Sequence, residues 1–266
     1  MHESKKHEHN KKIIEQFSKQ AVTFENIQGH YSSVEDIMDF CGISKQMRVL
    51  DLACGTGITT CEAAKRAKEV VGLDITKDML SQAEQKRHNE KLTNISFELG
   101  DVEKLPYEDE SFDIVFTRYS FHHFLDVKKV FGEMLRVCKR GGRIVVVDVV
   151  LEKIHEKAFN EMERLRDPSH TRALTKEEFE NLFANERFTN RRTGSYKVEV
   201  ELEEQLKASF PNNGDDGKIR EILQDDIISN RLGVSSYLKE GKIYFSYPIS
   251  VFSADIWRAK KRIKTS

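Results

Sequence analysis

The chain has 266 residues, with 43 lysines and arginines against 44 aspartates and glutamates, and a net charge of −1. This length suits one α/β domain, and the near-neutral charge argues against the broad basic surface typical of nucleic-acid binders. The longest strongly apolar run, Ile144–Leu151, is far shorter than the roughly 20 residues of a membrane span, and no secretory signal is visible, so we expect a cytoplasmic protein.

The cysteine and histidine patterns give no sign of a metal site. The four cysteines show neither a CxxC pair nor a zinc-type spacing, which favours reduced thiols. The histidines within residues 1–10 belong to a stretch so rich in His, Lys and Glu that it predicts a solvated tail. We therefore predict no metal ligand.

Apolar residues at helical spacing predict an amphipathic helix over 11–25 and a second helix over 34–40. From residue 48, short apolar runs alternate with helical patterns. The predicted strands are 48–53, 70–74, 95–99, 113–117 and 144–150, and the predicted helices between them are 59–68, 77–89 and 126–139, the last ending at Gly141-Gly142. This alternation indicates βαβ units and a parallel sheet, and the final strand lacks polar alternation, so both its faces should be buried.

The last third of the chain has a different pattern. It predicts helices over 154–166, 175–184 (with Thr175 as the N-cap) and 218–230, strands over 196–200 and 242–254, and a loop over 211–217. No repeat or linker is visible. We therefore expect one structural domain with N-terminal helices and a tail in 1–47, a ligand-binding core in 48–150, and a cap with the remaining strands in 151–266.

A glycine-rich turn follows the first predicted strand. Gly55 and Gly57 allow a tight turn and close approach of a ligand, and the next helix offers free N–H groups. Asp74, at the end of the second strand, can accept both hydroxyls of a ribose. Thr60 stands where a dinucleotide fingerprint has its third glycine, which argues against a pyrophosphate ligand.

Two further acids refine the prediction. Asp51 lies just before the glycine turn, where it would repel a diphosphate but suits a ligand with an amino group. Asp101 follows the third strand, where its side chain can accept a hydrogen bond from an adenine amino group. An amine, a ribose and an adenine together describe S-adenosyl-L-methionine (SAM).

Four ordered motifs then carry a resemblance: VLDLACGTG, VVGLDIT, FELGDVEKLPYEDESFDIVFTRYSFHHFLD and CKRGGRIVVVDVV. Over residues 48–150 the chain resembles class I SAM-dependent methyltransferases, and especially the small-molecule enzymes related to ubiquinone and menaquinone biosynthesis. The resemblance implies a Rossmann-like α/β fold with a seven-stranded sheet in the order 3-2-1-4-5-7-6, strand 7 antiparallel, and a helical cap. A fold of this kind that has lost its ligand or binds another nucleotide is the competing interpretation.

The resemblance also implies a set of cofactor-binding residues. Gly55, Thr56 and Gly57 line the methionine part, Asp74 holds the ribose, Ile75 packs on the adenine with Asp101 and Val102 at its edge, and Thr117 and Arg118 close the pocket. The remaining members of the set are Asp51, Ala53 and Met79. The quinone methyltransferases have a Tyr-Asp pair near the N-terminus where this chain has Phe24-Glu25, which leaves Tyr31 as a substitute.

Candidates for the transfer chemistry follow the fourth strand. His122 or His123 could act as a general base, and Tyr119 could contact the sulfonium. The alternatives are that one histidine is a buried structural imidazole and the other polar lining, and that Tyr119 only packs.

Arg166, His170 and Arg172 lie in the predicted cap, and paired arginines suit a carboxylate or phosphate on an acceptor. The alternative is that both arginines pair with nearby acids.

The sequence thus predicts an enzyme that transfers a methyl group from SAM to a small molecule and releases S-adenosyl-L-homocysteine (SAH). Nucleic-acid and membrane partners are not expected. An RNA methyltransferase, and a SAM- or nucleotide-binding protein without turnover, are the alternatives; the acceptor and the oligomeric state stay open.

Overall fold

The computed structural model describes residues 2–22, 33–184 and 186–257. Its helices are α1 (His2–Gln20), α2 (Val34–Cys41), α3 (Ile58–Ala64), α4 (Lys77–Asn89), α5 (Val127–Val137), α6 (Glu156–Arg166), α7 (Lys176–Phe183), α8 (Leu202–Ser209) and α9 (Asp215–Ser229). Its strands are β1 (Arg48–Leu52), β2 (Glu69–Asp74), β3 (Ile95–Leu99), β4 (Phe112–Arg118), β5 (Cys138–Leu151), β6 (Leu174–Thr175), β7 (Phe188–Glu201), β8 (Tyr237–Lys239) and β9 (Lys242–Ile256). A 3₁₀ turn, Phe121–His123, follows β4. Within these ranges, no helix has the length and apolarity required to cross a bilayer.

One mixed sheet organises the fold, in the order β3-β2-β1-β4-β5-β9-β7. Strands β1 to β5 run parallel, and β9 runs antiparallel to both of its neighbours, β5 and β7. With β7 and β9 counted as the sixth and seventh strands, this is the order 3-2-1-4-5-7-6, so the predicted topology is confirmed. The short strands β6 and β8 pair with β5 and β9 and are not predicted by the sequence patterns.

Strand β5 lies at the centre of the core and is covered on both faces. Ile144 and Val146 pack in one apolar cluster with α5 and α7, whereas Val145 and Val147 pack in the opposite cluster with α2, α6, α8 and α9. All four side chains are fully buried, each contributing about 1.5–3 kcal/mol through removal of apolar surface from water. The prediction that both faces of this strand are buried is therefore confirmed.

The N-terminal segment differs from the prediction of a solvated tail, because residues 2–10 form the first half of α1. Two polar side chains of this half, Lys6 and His9, contact residues that follow β3 and β4. Lys6 Nζ lies 2.7 Å from an Asp101 carboxylate oxygen and 2.8 Å from one of Glu103, and His9 Nε2 donates to the His123 carbonyl oxygen at 2.7 Å. Of the residues singled out near the end of the predicted helix, Phe24, Glu25 and Tyr31 lie outside the described ranges.

The glycines that were expected to end α5 lie inside β5 instead. Helix α5 ends at Val137, and β5 begins at the next residue. A Cβ on Gly142 would lie 2.7 Å from the Asp113 carbonyl oxygen and 2.9 Å from Cys138 Sγ. Gly142 thus allows β5 to approach β4 closely beside a register shift between the two strands.

The predicted cap segment is divided between the two faces of the sheet. Thr175 caps α7 as predicted: its hydroxyl accepts from Glu178 N at 3.3 Å, and the Glu178 carboxylate accepts from Thr175 N at 2.9 Å. Phe179 of α7 stacks on Phe252 at 5.0 Å, in the cluster opposite to that of Phe159 of α6. Helices α6 and α7 therefore lie on opposite faces of the sheet, and α6 packs with α9.

Two features of the C-terminal region differ from the prediction. The sequence patterns do not predict α8, and α9 begins at Asp215, inside the predicted loop 211–217. Gly214 has a φ of +84° at the N-cap, and acidic Asp215 and Asp216 occupy the first turn. Negative side chains at a helix N-terminus interact favourably with its dipole, which explains the earlier start.

Candidate functional site

A cavity opens at the carboxyl ends of β1, β2, β3 and β4, and we call it the first cavity. Its space, including the part open to solvent, is about 1030 Å³. Residues after each of these four strands form its wall, which is where open α/β sheets bind ligands. Helix α1 supplies the remaining lining: His9, Asn10, Ile13 and Phe17.

The two glycines of the turn after β1 have different roles. Both have positive φ, +54° at Gly55 and +77° at Gly57. A Cβ on Gly57 would lie 3.0 Å from both the Ala83 Cβ and Phe97 Cζ, whereas a Cβ on Gly55 would meet nothing within 4 Å. Gly57 therefore permits close packing of the turn against α4 and β3. Gly55 lines the first cavity together with Ala53 and Thr56, while Gly57 lies outside the lining.

Asp51 does not reach the first cavity directly, contrary to its expected contact with a ligand amine. It is 1% exposed, and its Oδ2 accepts hydrogen bonds from the hydroxyls of Thr59 at 2.8 Å and Thr60 at 2.6 Å. Burial raises the pKa of Asp51 to about 7, although both hydrogen bonds act in the opposite direction. The threonine that replaces the third glycine thus fixes this acid beneath the turn.

Asp74 lies at the end of β2 and lines the first cavity, in the position predicted for the ribose acid. Its Oδ2 accepts from Gly55 N at 2.9 Å and its Oδ1 from Thr76 N at 2.8 Å. Burial raises the pKa of Asp74, and these two N–H donors oppose that shift. The hydroxyl oxygens of Thr56 and Thr76, also in the lining, are buried without a hydrogen-bond partner among the described residues.

The predicted adenine region is apolar on one side and acidic on the other. Ile75, Met79 and Val102 line the first cavity. Asp101 lines it too, but its Oδ2 already receives Lys6 Nζ at 2.7 Å and Asn10 Nδ2 at 3.2 Å. Burial would raise the pKa of Asp101, yet the Lys6 contact lowers it. The carboxylate predicted to meet an adenine amino group is therefore held by α1.

Of the three residues at the end of β4, Thr117 is buried, whereas Arg118 and Tyr119 line the first cavity. Thr117 is fully buried and donates to the Leu52 carbonyl oxygen at 2.7 Å, so it joins β4 to β1 rather than closing the pocket. Arg118 and Tyr119 line the first cavity, with the guanidinium carbon 4.1 Å from the tyrosine ring centroid. Tyr119 has a φ of +57°, and its hydroxyl is hydrogen-bonded to that of Tyr196 at 2.8 Å. Such strained backbone is typical of functional sites.

A second cavity, of about 800 Å³ including its open part, adjoins the first. Phe17, Tyr119 and His123 line both cavities, and we call these three residues the common wall. The apolar lining of the second cavity is Val149, Phe159, Ala173, Val198, Val200 and Ile249. Its polar lining is Gln20, His122, Glu163, Arg166, Asp167, His170, Gln205, Ser209 and Tyr247.

Arg166 lies in the second cavity, but its guanidinium is already paired. Its Nε and Nη2 bind Glu163 Oε2 at 2.9 and 2.6 Å, and its Nη1 binds Ser209 Oγ at 2.9 Å. The Arg166 and Glu163 side chains are 11% and 3% exposed, and the Tyr247 hydroxyl donates to Glu163 Oε1 at 3.0 Å. A neutralised pair does not attract an anionic ligand as a free cation would.

Arg172 lies outside the lining of both cavities, so the structure does not bring it together with Arg166 and His170 as the sequence predicted. It pairs with Glu178 at 2.7 Å and Glu156 at 3.1 Å, and its side chain is 42% exposed. The alternative stated for this arginine, pairing with nearby acids, is what the structure contains.

Three histidine rings meet beside the second cavity. The ring centroids of His122 and His123 are 4.3 Å apart, and those of His122 and His170 are 5.4 Å apart. The 3₁₀ turn and the loop after α6 thus face each other, the arrangement predicted from topology. No group of three or more metal-ligating side chains that could hold a metal ion occurs in the described ranges.

Sequence reasoning missed several residues of the second cavity. Asp148 does not line this cavity but contacts His122, which does, and it carries a usable signal because it is the single charged residue in the apolar run 144–151. Glu163 and Tyr247 give no local signal, since they are 84 positions apart in the chain.

Comparisons with known proteins agree with this geometry. The family described as "Methyltransferase domain" matches residues 43–187. The chain is 33% identical over 162 residues to the uncharacterized methyltransferase YcgJ of Bacillus subtilis, covering 60% of this chain and 64% of YcgJ. It is 36% identical over 141 residues to a demethylmenaquinone methyltransferase of Oceanobacillus iheyensis, covering 47% and 59% of the two chains.

Solved structures extend the similarity beyond the matched sequence. The crystal structure of YcgJ superposes with a TM-score of 0.77 at 27% identity, covering 86% of this chain and 99% of that one. Haemonchus contortus phosphoethanolamine N-methyltransferase 2, solved with phosphomonomethylethanolamine and SAH, shares the fold alone, with a TM-score of 0.61 at 20% identity over 85% and 52% of the two chains.

The chain spans about three fifths of the length of the two curated relatives it matches, so their substrates are not transferred to it here. The family match itself covers more than half of the chain. The protein therefore belongs to the methyltransferase domain family.

Proposed function

We propose that the chain binds SAM in the first cavity and transfers its methyl group to a small molecule held in the second. The common wall of Phe17, Tyr119 and His123 carries this proposal, because it brings the two cavities into contact. Methyl transfer is an in-line displacement whose rate depends strongly on alignment of the two reactants. Two adjoining cavities with a shared wall provide that alignment.

The first cavity fits the chemistry of SAM. The Asp74 carboxylate, fixed by two backbone N–H groups, can accept hydrogen bonds from the two ribose hydroxyls. The unpartnered hydroxyls of Thr56 and Thr76 are buried polar atoms that a polar ligand would satisfy. Gly55 leaves open space where a side chain would otherwise stand. Ile75, Met79 and Val102 form the apolar bed for the adenine.

The second cavity supports a neutral acceptor with an apolar body. Much of its lining is aliphatic or aromatic, and its arginine is neutralised by Glu163. Among the described residues that line this cavity, Arg166 is the one lysine or arginine, and it is paired, so a carboxylate or phosphate on the acceptor would lose its hydration without gaining a guanidinium or ammonium partner. The acceptor anion suggested by the sequence is therefore not part of this proposal.

When bound, SAM supplies a methyl group on a positively charged sulfur that is already an activated leaving group. The protein must align the acceptor, exclude water and hold any proton that the acceptor loses. Tyr119, whose hydroxyl is fixed by Tyr196, and His123 lie on the common wall and border the path between the two ligands. Helix α1 covers both cavities through Phe17 and limits the access of water.

Calorimetric titration with SAM, NAD and ATP tests the cofactor. We expect SAM to bind at least tenfold more tightly than the other two nucleotides. Detection of SAH during incubation of the protein and SAM with a library of small molecules then tests transfer, with bulk tRNA as a separate acceptor.

Each result separates one of the alternatives. Equal affinity for NAD or ATP would contradict the cofactor assignment. SAM binding without SAH formation from any acceptor would indicate a binding protein without turnover. SAH formation with tRNA alone, accompanied by a salt-sensitive complex, would indicate an RNA methyltransferase.

A further inference from the structure

A buried carboxylate orients one of the three histidines of the second cavity. Asp148 is 1% exposed, and its Oδ1 lies 2.6 Å from His122 Nδ1. Two backbone N–H groups also donate to it, Phe121 N to Oδ2 and Val149 N to Oδ1, each at 2.7 Å. Because a carboxylate in this setting is an acceptor, the hydrogen of the neutral imidazole lies on Nδ1.

The second ring nitrogen of His122 is left available. In the described part of the chain, His122 Nε2 has no hydrogen-bond partner, and the side chain is 11% exposed and lines the second cavity. With the hydrogen on Nδ1, Nε2 carries a lone pair. His122 Nε2 can thus accept a proton at the cavity, and the Asp148 carboxylate on Nδ1 stabilises the resulting positive charge.

His123 has a different environment. Its Nδ1 lies 3.1 Å from the Ser169 carbonyl oxygen and 3.2 Å from Ser169 Oγ, whose own hydrogen is donated to Asp167 at 2.6 Å. The Nδ1 hydrogen therefore points at neutral acceptors. Burial and the neighbouring His122 lower the pKa of His123 to about 4, so it is a weak proton acceptor at neutral pH.

His170 is held as a hydrogen-bond acceptor whose charged form is disfavoured. Asn160 Oδ1 accepts from Ala173 N at 2.7 Å, which fixes the amide, and lies 2.7 Å from His170 Nε2. The hydrogen of His170 is therefore on Nε2, and its Nδ1 is buried without a partner among the described residues. Burial and the nearby histidines lower the pKa of His170 strongly. Of the three rings, only His122 has a carboxylate as its partner.

We propose that His122 Nε2 is the general base of the second cavity and that Asp148 is its positioning residue. The inference rests on the proposed function and identifies the acceptor as one that carries a hydroxyl or amine hydrogen. As the acceptor's oxygen or nitrogen bonds to the methyl carbon, the carbon–sulfur bond of the sulfonium breaks and its electron pair stays on sulfur. The acceptor's hydrogen moves to His122 Nε2, and the imidazolium later releases it to water.

The charges around His122 are consistent with this role. Burial by itself would lower the pKa of His122, but the charge and hydrogen bond of Asp148 raise it above the usual value. The groups that face His122 from other elements are Glu163 and Arg166 of α6, His170 of the loop after α6, and Asp148 of β5, with His123 on its own turn. Glu163 acts with Asp148, and Arg166 acts against it.

4-Nitrophenol tests the base without knowledge of the natural acceptor, because its ionised form absorbs visible light. The protein is loaded with SAH and titrated with the phenol at a pH below the solution pKa of the phenol. We expect bound phenol to be ionised, as an ion pair with the His122 imidazolium. His122→Gln should reduce the ionised fraction at least tenfold while the phenol still binds, and the exposed His88→Gln should leave it unchanged.

The positioning role of Asp148 is tested separately, through the pH at which bound phenol ionises. Asp148→Asn removes the negative charge and keeps one acceptor oxygen, which can serve Val149 N and His122 Nδ1, whereas Phe121 N loses its carboxylate acceptor. We expect it to move the midpoint of phenol ionisation to higher pH, whereas a purely structural role would change only the thermal unfolding temperature.

Three results would overturn the inference: neutral bound phenol in the wild type, ionisation that persists in His122→Gln, or no phenol binding to the SAH-loaded protein. None of them affects SAM binding or SAH release, which test the proposed function separately. A folded His122→Asn variant, verified by circular dichroism, repeats the test if His122→Gln does not fold.

Discussion

The two cavities are built in different ways. The first is formed by turns at the ends of β1 to β4 beneath α1, and the contacts of Asp74 with Gly55 and Thr76 join residues at most 19 positions apart in the chain. The second is formed by side chains from distant segments and contains buried charges, with Arg166 bonded to Ser209 and Glu163 to Tyr247. The proposed SAM site thus depends mostly on a local strand–turn motif, whereas the proposed acceptor site depends on the complete fold.

The largest expected effect is on the charge pair of the second cavity. Glu163→Gln leaves Arg166 buried without a counter-ion, which should lower the free energy of unfolding by about 3–5 kcal/mol. Urea denaturation measures this change, with the exposed Glu161→Gln on the same helix as control. If the two cavities are independent, SAM affinity of the folded variant stays at the wild-type value. A large loss of SAM affinity would contradict the separation of the two regions.

The corresponding change in the first cavity is Asp74→Ala. It removes the acid proposed to bind the ribose, and charge-assisted hydrogen bonds contribute about 1.5–3 kcal/mol each, so SAM affinity should fall by at least a hundredfold. Calorimetry measures the affinity, and the exposed Asp78→Ala on α4 is the matched control. Unchanged affinity in Asp74→Ala would refute the ribose assignment.

Acidification should destabilise the common wall through His123. Its pKa is lowered from 6.5 to about 4 in the folded protein, so between these pH values the unfolded chain binds more protons than the native chain. Stability therefore falls as the pH falls from 6.5 towards 4, by roughly 1–3 kcal/mol from this group. Urea denaturation across this range should show a smaller dependence in His123→Asn than in His88→Gln. An identical dependence in both variants would exclude His123 as its source.

The smallest effect is expected at Arg172, outside both cavities. Its partly exposed ion pairs should contribute about 0–1 kcal/mol, and Arg172→Ala should leave SAM affinity and SAH release unchanged. A loss of SAH release in a folded Arg172→Ala protein would indicate that Arg172 takes part in acceptor binding.

The features that the sequence predicted are those determined by interactions between residues near each other in the chain. The parallel sheet follows from βαβ alternation, and the positions of Gly55 and Asp74 follow from a strand, a glycine turn and a helix that are adjacent in the chain. The strand order was implied by the resemblance to class I methyltransferases. The extent of α1 was missed because its N-terminal half is polar and is ordered by partners such as Asp101, about a hundred residues away.

The contacts of the second cavity could not be predicted in the same way. Asp148 has a local signal, yet its partner His122 lies on a different strand end, and only the pairing of β4 with β5 brings them together. Arg166 lies in the second cavity, as the sequence predicted. Its ion pair with Glu163 could not be predicted, because several acidic residues lie near this arginine-rich helix end in the sequence. Side-chain pairing of this kind depends on tertiary packing rather than on sequence spacing.

The position of helix α1 has a consequence for the rates at which ligands leave the two cavities. It is held over the first cavity by Lys6 and Asn10 on Asp101, and over the second by Gln16 and Gln20 on the Ser209 carbonyl oxygen. Because α1 covers both cavities, the proposed function requires the same displacement of this helix for departure of the methylated product and of SAH. Added salt weakens the partly exposed Lys6–Asp101 contact, so it should accelerate the release of both ligands by the same factor.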